Sequence, residues 1–189
     1  MKKMIIVLTG VMIISGLVLA ATFGGLTDRI EANRVAALNT SLAAIFEGQA
    51  AADEIDFEEL EAEDQTIYRA TTGGELLGYA VRIRTPGYGG PITMLVGLSP
   101  DTEEITGISV VEQVETPGLG GNITQEAFRG QFEDLSANEP ITYVKNVDPM
   151  KEDNQVQALS GATITSEAIV DGINEHLGGA RETIARQGQ

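Results

Sequence analysis

Residues Met4 to Phe23 are twenty consecutive positions without a charged side chain. A backbone in hydrocarbon must satisfy its N–H and C=O groups within its own segment, so this stretch is confined to a helix; at 1.5 Å rise per residue it spans roughly the 30 Å lipid interior. Lys2 and Lys3 precede it, and no acid occurs in the first 23 residues. The positive-inside tendency therefore places the N-terminus in the cytoplasm and everything after Phe23 on the far, periplasmic side of the cell membrane, as a single-pass anchor. The competing reading is a cleaved secretory signal, for which Val18-Leu19-Ala20 supplies small residues. The anchor is favoured because the apolar stretch exceeds the usual signal core of about 7 to 15 residues. Either way the rest of the chain is exported. The organisation expected is a transmembrane anchor over 1–23, a helical stalk and acidic linker over 24–64, and one domain over 65–189.

Composition narrows what that domain can do. Setting aside Lys2 and Lys3 leaves ten basic residues against 28 acids, so the exported part carries −18 of charge. Neutralising phosphates needs clustered Lys and Arg, which argues against nucleic acid as a partner. The chain contains no cysteine. Iron–sulfur clusters, disulfides, thiol nucleophiles and thiolate zinc sites are excluded together, and redox work would require an organic cofactor. The one histidine, His176, precedes Gly178-Gly179, where a cation at a helix end is the ordinary explanation.

From Leu26 to Phe46 the apolar residues Leu26, Ile30, Val35, Leu38, Leu42, Ile45 and Phe46 recur at helical spacing, which predicts a stalk. Ala50 to Asp64 is acidic and reads as a solvated linker or helix face; the glycine and ligand spacing of a calcium loop are missing. Strand signals follow at Thr66–Thr72 and Glu75–Thr85 around Gly73-Gly74, a tight primed turn, and at Ile92–Ser99 and Ile105–Glu115 around Pro100-Asp101-Thr102-Glu103. Short connections imply antiparallel pairing. Thr124 to Leu135 reads as one helix with Thr124 as cap and Ala127, Phe128, Phe132 and Leu135 on its buried face, and Ile141 to Asn146 as a short strand. The fold class is α+β, a twisted antiparallel sheet with packed helices.

Ser160-Gly161-Ala162-Thr163-Ile164-Thr165-Ser166 leads into an amphipathic run with Ile169, Ile173 and Leu177 at spacing four, closed by Gly178-Gly179. The turn is thus a helix N-terminus, where unpaired N–H groups and the dipole receive a phosphate without a basic side chain. The plainer alternative is that Thr165 or Ser166 is an N-cap and the small residues a tight turn. Tyr88-Gly89-Gly90-Pro91 is either a glycine loop or a close approach to a ligand with Tyr88 beside it. Thr116-Pro117-Gly118 fits a type II turn; Leu119, between Gly118 and Gly120, is poorly placed for a core and well placed to cover a planar ring.

These strings carry a resemblance. Ser160-Gly161-Ala162-Thr163 resembles the flavinylation motif of the FMN-binding domain family, whose last Thr bears FMN through a phosphoester, and Gly87 to Ile92 and Glu115 to Gly120 look like two further strings of that family in its order. Gln157 stands six residues before Thr163, where many members carry Asp. Over nearly its whole length the chain is similar to the G subunits of Rnf electron-transport complexes. The resemblance implies a membrane-anchored carrier with FMN esterified to Thr163 by a flavin-attaching enzyme, working beside the other membrane and soluble subunits of a ferredoxin:NAD oxidoreductase that pumps an ion. It implies that the loop Thr116, Pro117, Gly118, Leu119 and Gly120 contacts the ring and that Thr163 holds the phosphate end. On that reading Ser160, Gly161, Ala162 and Thr165 are expected around the phosphate, Tyr88, Gly89 and Gly90 beside the cofactor, Glu115 as acceptor from ribityl or ring, and Lys145, the nearest basic residue, as the group that tunes the reduced flavin. Rivals are the C subunit of a Na+-translocating NADH:quinone reductase and a non-redox exported interaction module.

Overall fold

The computed structural model describes residues 2–46, 49–51, 53–60 and 65–187, in two compact units, Met1–Asn39 and Thr40–Gln189. The first unit is helical. Helix α1 runs over Lys2–Ile45, and its portion Lys2–Ala20 is long and apolar enough to cross a membrane. The large apolar side chains from Met4 to Phe23 are all exposed, the arrangement a lipid-facing helix requires. Thr22 turns its hydroxyl back onto the Val18 carbonyl at 2.8 Å, so that polar group is satisfied inside the helix.

The second unit is built on six antiparallel strands in sequential order: β1 Ile55–Leu60, β2 Thr66–Thr72, β3 Glu75–Pro86, β4 Pro91–Leu98, β5 Glu104–Glu112 and β6 Leu135–Ser136. Gly73 and Gly74 have φ of +56° and +85° while Thr72 pairs with Glu75, as a two-residue primed turn demands. The β4–β5 turn is braced by side chains instead. Asp101 Oδ1 accepts from Ser99 Oγ at 2.5 Å and from the Glu103 N–H at 3.1 Å, and Ser99 Oγ accepts from the Glu104 N–H at 3.0 Å. The Ser99 hydroxyl, followed by the Glu103 N–H, holds the Asp101 carboxyl below its ordinary range.

Both faces of the sheet are covered. On one, Ile67, Val81, Ile83, Met94, Val96 and Ile108 form a core with Ile169, Ile173, Leu177, Ala180 and Ile184 of helix α3, Thr163–Gln187. On the other, Leu42, Ile45 and Phe46 at the end of α1 are buried. Their approach needs Gly78 and Gly97: a Cβ at the first would meet Phe46 Cε1 at 3.1 Å, and one at the second would collide with the Ile45 side chain.

Four expectations are corrected. The acidic stretch is not a linker or helix face where it is described: residues 55–60 are the edge strand β1, paired with β2 from Ile55↔Thr72 to Leu60↔Ile67. Ile55 is buried and Phe57 half-buried, its ring 6.2 Å from that of Phe46, while Asp56, Glu58 and Glu59 point to solvent. The strand period of two was masked by the acids, which also protect an exposed edge from further pairing. Strand β1 thus lies within the compact unit Thr40–Gln189.

Helix α3 does not stop at Gly178-Gly179. Ala180 and Ile184 prolong its buried stripe, and that burial outweighs the helix cost of about 1 kcal/mol per glycine. His176 accordingly lies inside the helix, Nδ1 2.8 Å from the Gly172 carbonyl, and not at its end.

Thr124 to Leu135 is not one helix. A 3-10 turn over Gly120–Thr124, helix α2 over Glu126–Arg129, a second 3-10 turn over Gly130–Phe132 and strand β6 replace it, with extended Gln125 preceding α2. Gly130 weakens a longer helix, while Phe128 and Phe132 are buried as expected, their rings 5.5 Å apart edge to face. Finally, the expected strand at 141–146 is the shorter β7, Thr142–Val144, and it pairs in parallel with β8, Gln155–Gln157, apart from the main sheet.

Candidate functional site

Three segments that are distant in sequence meet at one end of the sheet. The β3–β4 loop is closed by the Gly87 N–H on the Gly90 carbonyl at 2.9 Å. After β5, Thr116-Pro117-Gly118-Leu119 forms the expected turn: the Leu119 N–H reaches the Thr116 carbonyl at 3.1 Å, and Gly118 has φ of +78°. The third segment is the start of α3.

Glu115 joins them. It is 6% exposed; Oε1 accepts from the Gly89 N–H at 2.8 Å and Oε2 from the Thr165 hydroxyl at 3.0 Å, and its own N–H is tied to Gln113 Oε1 at 2.6 Å. The surrounding glycines make room for that carboxylate. A Cβ at Gly120 would stand 2.5 Å from Glu115 Oε2 and 2.8 Å from Thr165 Oγ1, and one at Gly87 would collide with Oε1. A Cβ at Gly90 would press on Val114 Cγ2 at 2.5 Å, so the first two loops are themselves in contact. Leu119 reaches the third segment, its Cδ2 3.2 Å from where a Cβ on Gly161 would lie.

The helix terminus corrects the capping alternative. The helix starts at Thr163, so the residue before it is Ala162, which has no side chain able to cap. Thr165 is turned toward Glu115. Ser166 Oγ accepts from the Leu159 N–H at 2.9 Å and donates to the Ala162 carbonyl at 3.1 Å, pinning the turn from inside. The N–H groups of Thr163, Ile164 and Thr165 have no acceptor among the described residues, since the first intrahelical bond is from Ser166 to Ala162 at 3.1 Å. Of the four hydroxyls in the motif, two are engaged. Exposed Ser160 and half-buried Thr163 are the two without a hydrogen-bond partner among the described residues.

Each segment also presents an exposed apolar side chain: Tyr88 at 72%, Leu119 at 46% and Ile164 at 57%. Open N–H donors for a phosphate, a free hydroxyl beside them, glycines that admit close approach and apolar cover for a planar ring together fit a flavin mononucleotide. The flavin would supply the redox chemistry, and the chain would hold it in position.

Lys145 lies outside the Glu115 network, its ammonium 5.5 Å over the Tyr143 ring. The Tyr143 hydroxyl donates to Glu167 Oε1 at 3.0 Å, one helical turn past Thr163, and that carboxylate is the first cause of a raised Tyr143 pKa. Gln157 holds neighbouring backbone: Nε2 donates to the Val147 carbonyl at 3.1 Å, and its N–H to Gln131 Oε1 at 2.6 Å. An Asp here would have no proton for that carbonyl.

The joining role of Glu115 and the pinning role of Ser166 were missed in the sequence. A single acid or serine beside a turn carries no periodic signal, and only the partners 26 and 50 residues from Glu115 reveal its part.

Fold and site together define a flavin-carrying domain. The family model described as FMN-binding domain matches residues 87–178, which span all three segments. The chain is 33% identical over 171 residues to the G subunit of the ion-translocating oxidoreductase complex of Stutzerimonas stutzeri, covering 87% of this chain and 72% of that protein, and it belongs to that family of G subunits. It is 43% identical over 108 residues to the G subunit of the proton-translocating ferredoxin:NAD(+) oxidoreductase complex of Clostridium ljungdahlii, over 57% of this chain and 56% of the relative. The chain thus spans about half the length of the first curated relatives it matches, at 56, 51 and 51%. Among solved structures, NqrC of Shewanella oneidensis shares the fold, with a TM-score of 0.60 at 20% identity over 72% of this chain and 70% of that one.

Proposed function

We propose that this chain is a membrane-anchored electron carrier whose FMN is esterified through its phosphate to Thr163, serving as one subunit of an Rnf-type ion-translocating ferredoxin:NAD oxidoreductase. The observation that carries the reading is the free Thr163 hydroxyl at an uncapped helix N-terminus, with the neighbouring hydroxyls of Thr165 and Ser166 already committed. The open N–H groups stabilise the phosphate charge where the ester forms. Attachment exchanges the Thr163 O–H bond for an O–P bond. A phosphate monoester has no suitable leaving group, so the attaching enzyme must use an activated phosphoanhydride of FMN, whose other half departs and takes up the proton. Outside the cytoplasm a covalent tether keeps the cofactor from being lost.

With the domain on the periplasmic side and Lys2 and Lys3 in the cytoplasm, the carrier relays electrons among the other membrane and soluble subunits and turns over no substrate alone. The relative covered over 72% of its length favours this assignment over the quinone-reductase C subunit, with which only the fold is shared.

The full chain produced with a flavin-attaching enzyme and denatured should keep flavin fluorescence on a gel, and intact mass should show one added FMN. Thr163→Val should abolish both and leave the melting temperature unchanged, because the change removes one unbonded oxygen. Fluorescence retained in that variant would reassign the tether to Ser160; a colourless parent would leave only an anchored interaction module.

A further inference from the structure

A buried carboxylate is held either by an opposite charge or by hydrogen bonds, and Glu115 has no ion-pair partner among the described residues. Its two bonds, to the Gly89 N–H and the Thr165 hydroxyl, are the only hydrogen bonds among the described residues that link the β3–β4 loop, the 113–121 loop and the start of α3. The glycines at 87 and 120 leave room for this carboxylate and for no added Cβ.

We propose that Glu115 is a positioning residue for the flavin, a clamp that sets both glycine loops against the tethering helix and leaves one uncompensated negative charge beside the ring. The inference rests on the flavin reading above and departs from the expectation that Glu115 bonds the cofactor. One lone pair on each oxygen is already used within the protein, and both bonds arrive from donors, as a carboxylate requires. Leu119 and Tyr88 face the cofactor only while these loops are held, since Gly89 follows Tyr88 directly and Leu119 precedes Gly120. Adding electrons to a ring near a fixed anion is disfavoured, so the same group lowers the midpoint potential of the flavin.

Two substitutions separate clamp from charge. In Glu115→Gln the amide oxygen still accepts from Gly89, and Nε2 donates to a Thr165 hydroxyl that rotates to accept, so the clamp survives and the charge is lost. Glu115→Ala loses both. In the flavinylated full chain, Glu115→Ala should lower the anisotropy of the attached flavin toward that of a freely rotating ring and speed amide exchange at Gly89 about tenfold. Glu115→Gln should restore both readings to those of the parent and raise the midpoint potential.

Unchanged exchange at Gly89 in Glu115→Ala overturns the clamp, and an unshifted potential in Glu115→Gln overturns the charge. Should Glu115→Ala not fold, Thr165→Val cuts the α3 arm alone; flavin anisotropy equal to the parent's in that variant would also overturn the clamp. A parent that takes up no flavin refutes the proposed function instead, and exchange at Gly89 in the flavin-free protein still decides the clamp.

Discussion

The hairpin at Gly73-Gly74 and the loops around Glu115 use the same residue for different physical ends. At the hairpin φ is positive at both glycines and a Cβ at either would meet nothing within 4 Å, so glycine is there for backbone shape. At Gly120 a Cβ would strike Glu115 and Thr165, so glycine is there for space. The first kind serves a fold and tolerates any residue with the same backbone freedom. The second serves a site, and nothing larger can enter without moving the carboxylate. Gly161 combines both, with φ of +78° and Leu119 3.2 Å from its absent Cβ.

Substitutions at these positions can break the distinction. The largest effect is expected for Gly120→Ala, whose Cβ must displace Glu115 or Thr165; overpacking and a lost hydrogen bond should destabilise the domain by about 3 kcal/mol and lower flavin uptake. Denaturant midpoints with in-gel fluorescence test this, and unchanged stability would mean the carboxylate is free to move. Gly161→Ala should cost about 1 to 2 kcal/mol for its left-handed backbone and also reduce flavinylation.

Gly74→Ala carries only the shape penalty, about 1 kcal/mol, and should leave flavin content at the parent level, while Gly73→Asn should be close to neutral. A loss of flavin in Gly74→Ala would erase the contrast.

The smallest effect belongs to the β4–β5 turn, where Ser99 and Asp101 replace glycine. The folded pKa of Asp101 is depressed, so its contribution is complete above the ordinary value of 3.8 and is lost as pH falls through the lowered one. Ser99→Ala should therefore be slightly less stable than the parent at neutral pH, where the contribution is complete, and should show a flatter acid limb, the two proteins converging as pH falls through the lowered value. Equal acid limbs for parent and variant would remove Asp101 from the account.

Much of this was legible because it is local. Twenty uncharged residues, the paired glycines and the apolar period of Ile169, Ile173 and Leu177 each declare an element within one window. Strand β1 was hidden because Asp56, Glu58 and Glu59 make half of Ile55–Leu60 acidic, and only pairing with β2 decides that the segment is extended. The stop at Gly178-Gly179 was overruled by Ala180 and Ile184, whose burial is a property of the sheet beneath them.

For the site, the three strings could be named from residue order, and Thr163 could be proposed as a tether from the resemblance, while the assembly of the strings could not be read at all. The sequence alone determined that an acidic, cysteine-free domain follows a membrane-length helix and that its glycine strings and hydroxyl motif suit a phosphate-bearing ring. Tertiary structure decided which glycines yield space, which hydroxyls are already bonded, and that Glu115 gathers segments 26 and 50 residues away. The reason is range: periodicity and turn chemistry act over a few residues, whereas a carboxylate shared by two loops and a helix start exists only once the chain has closed on itself.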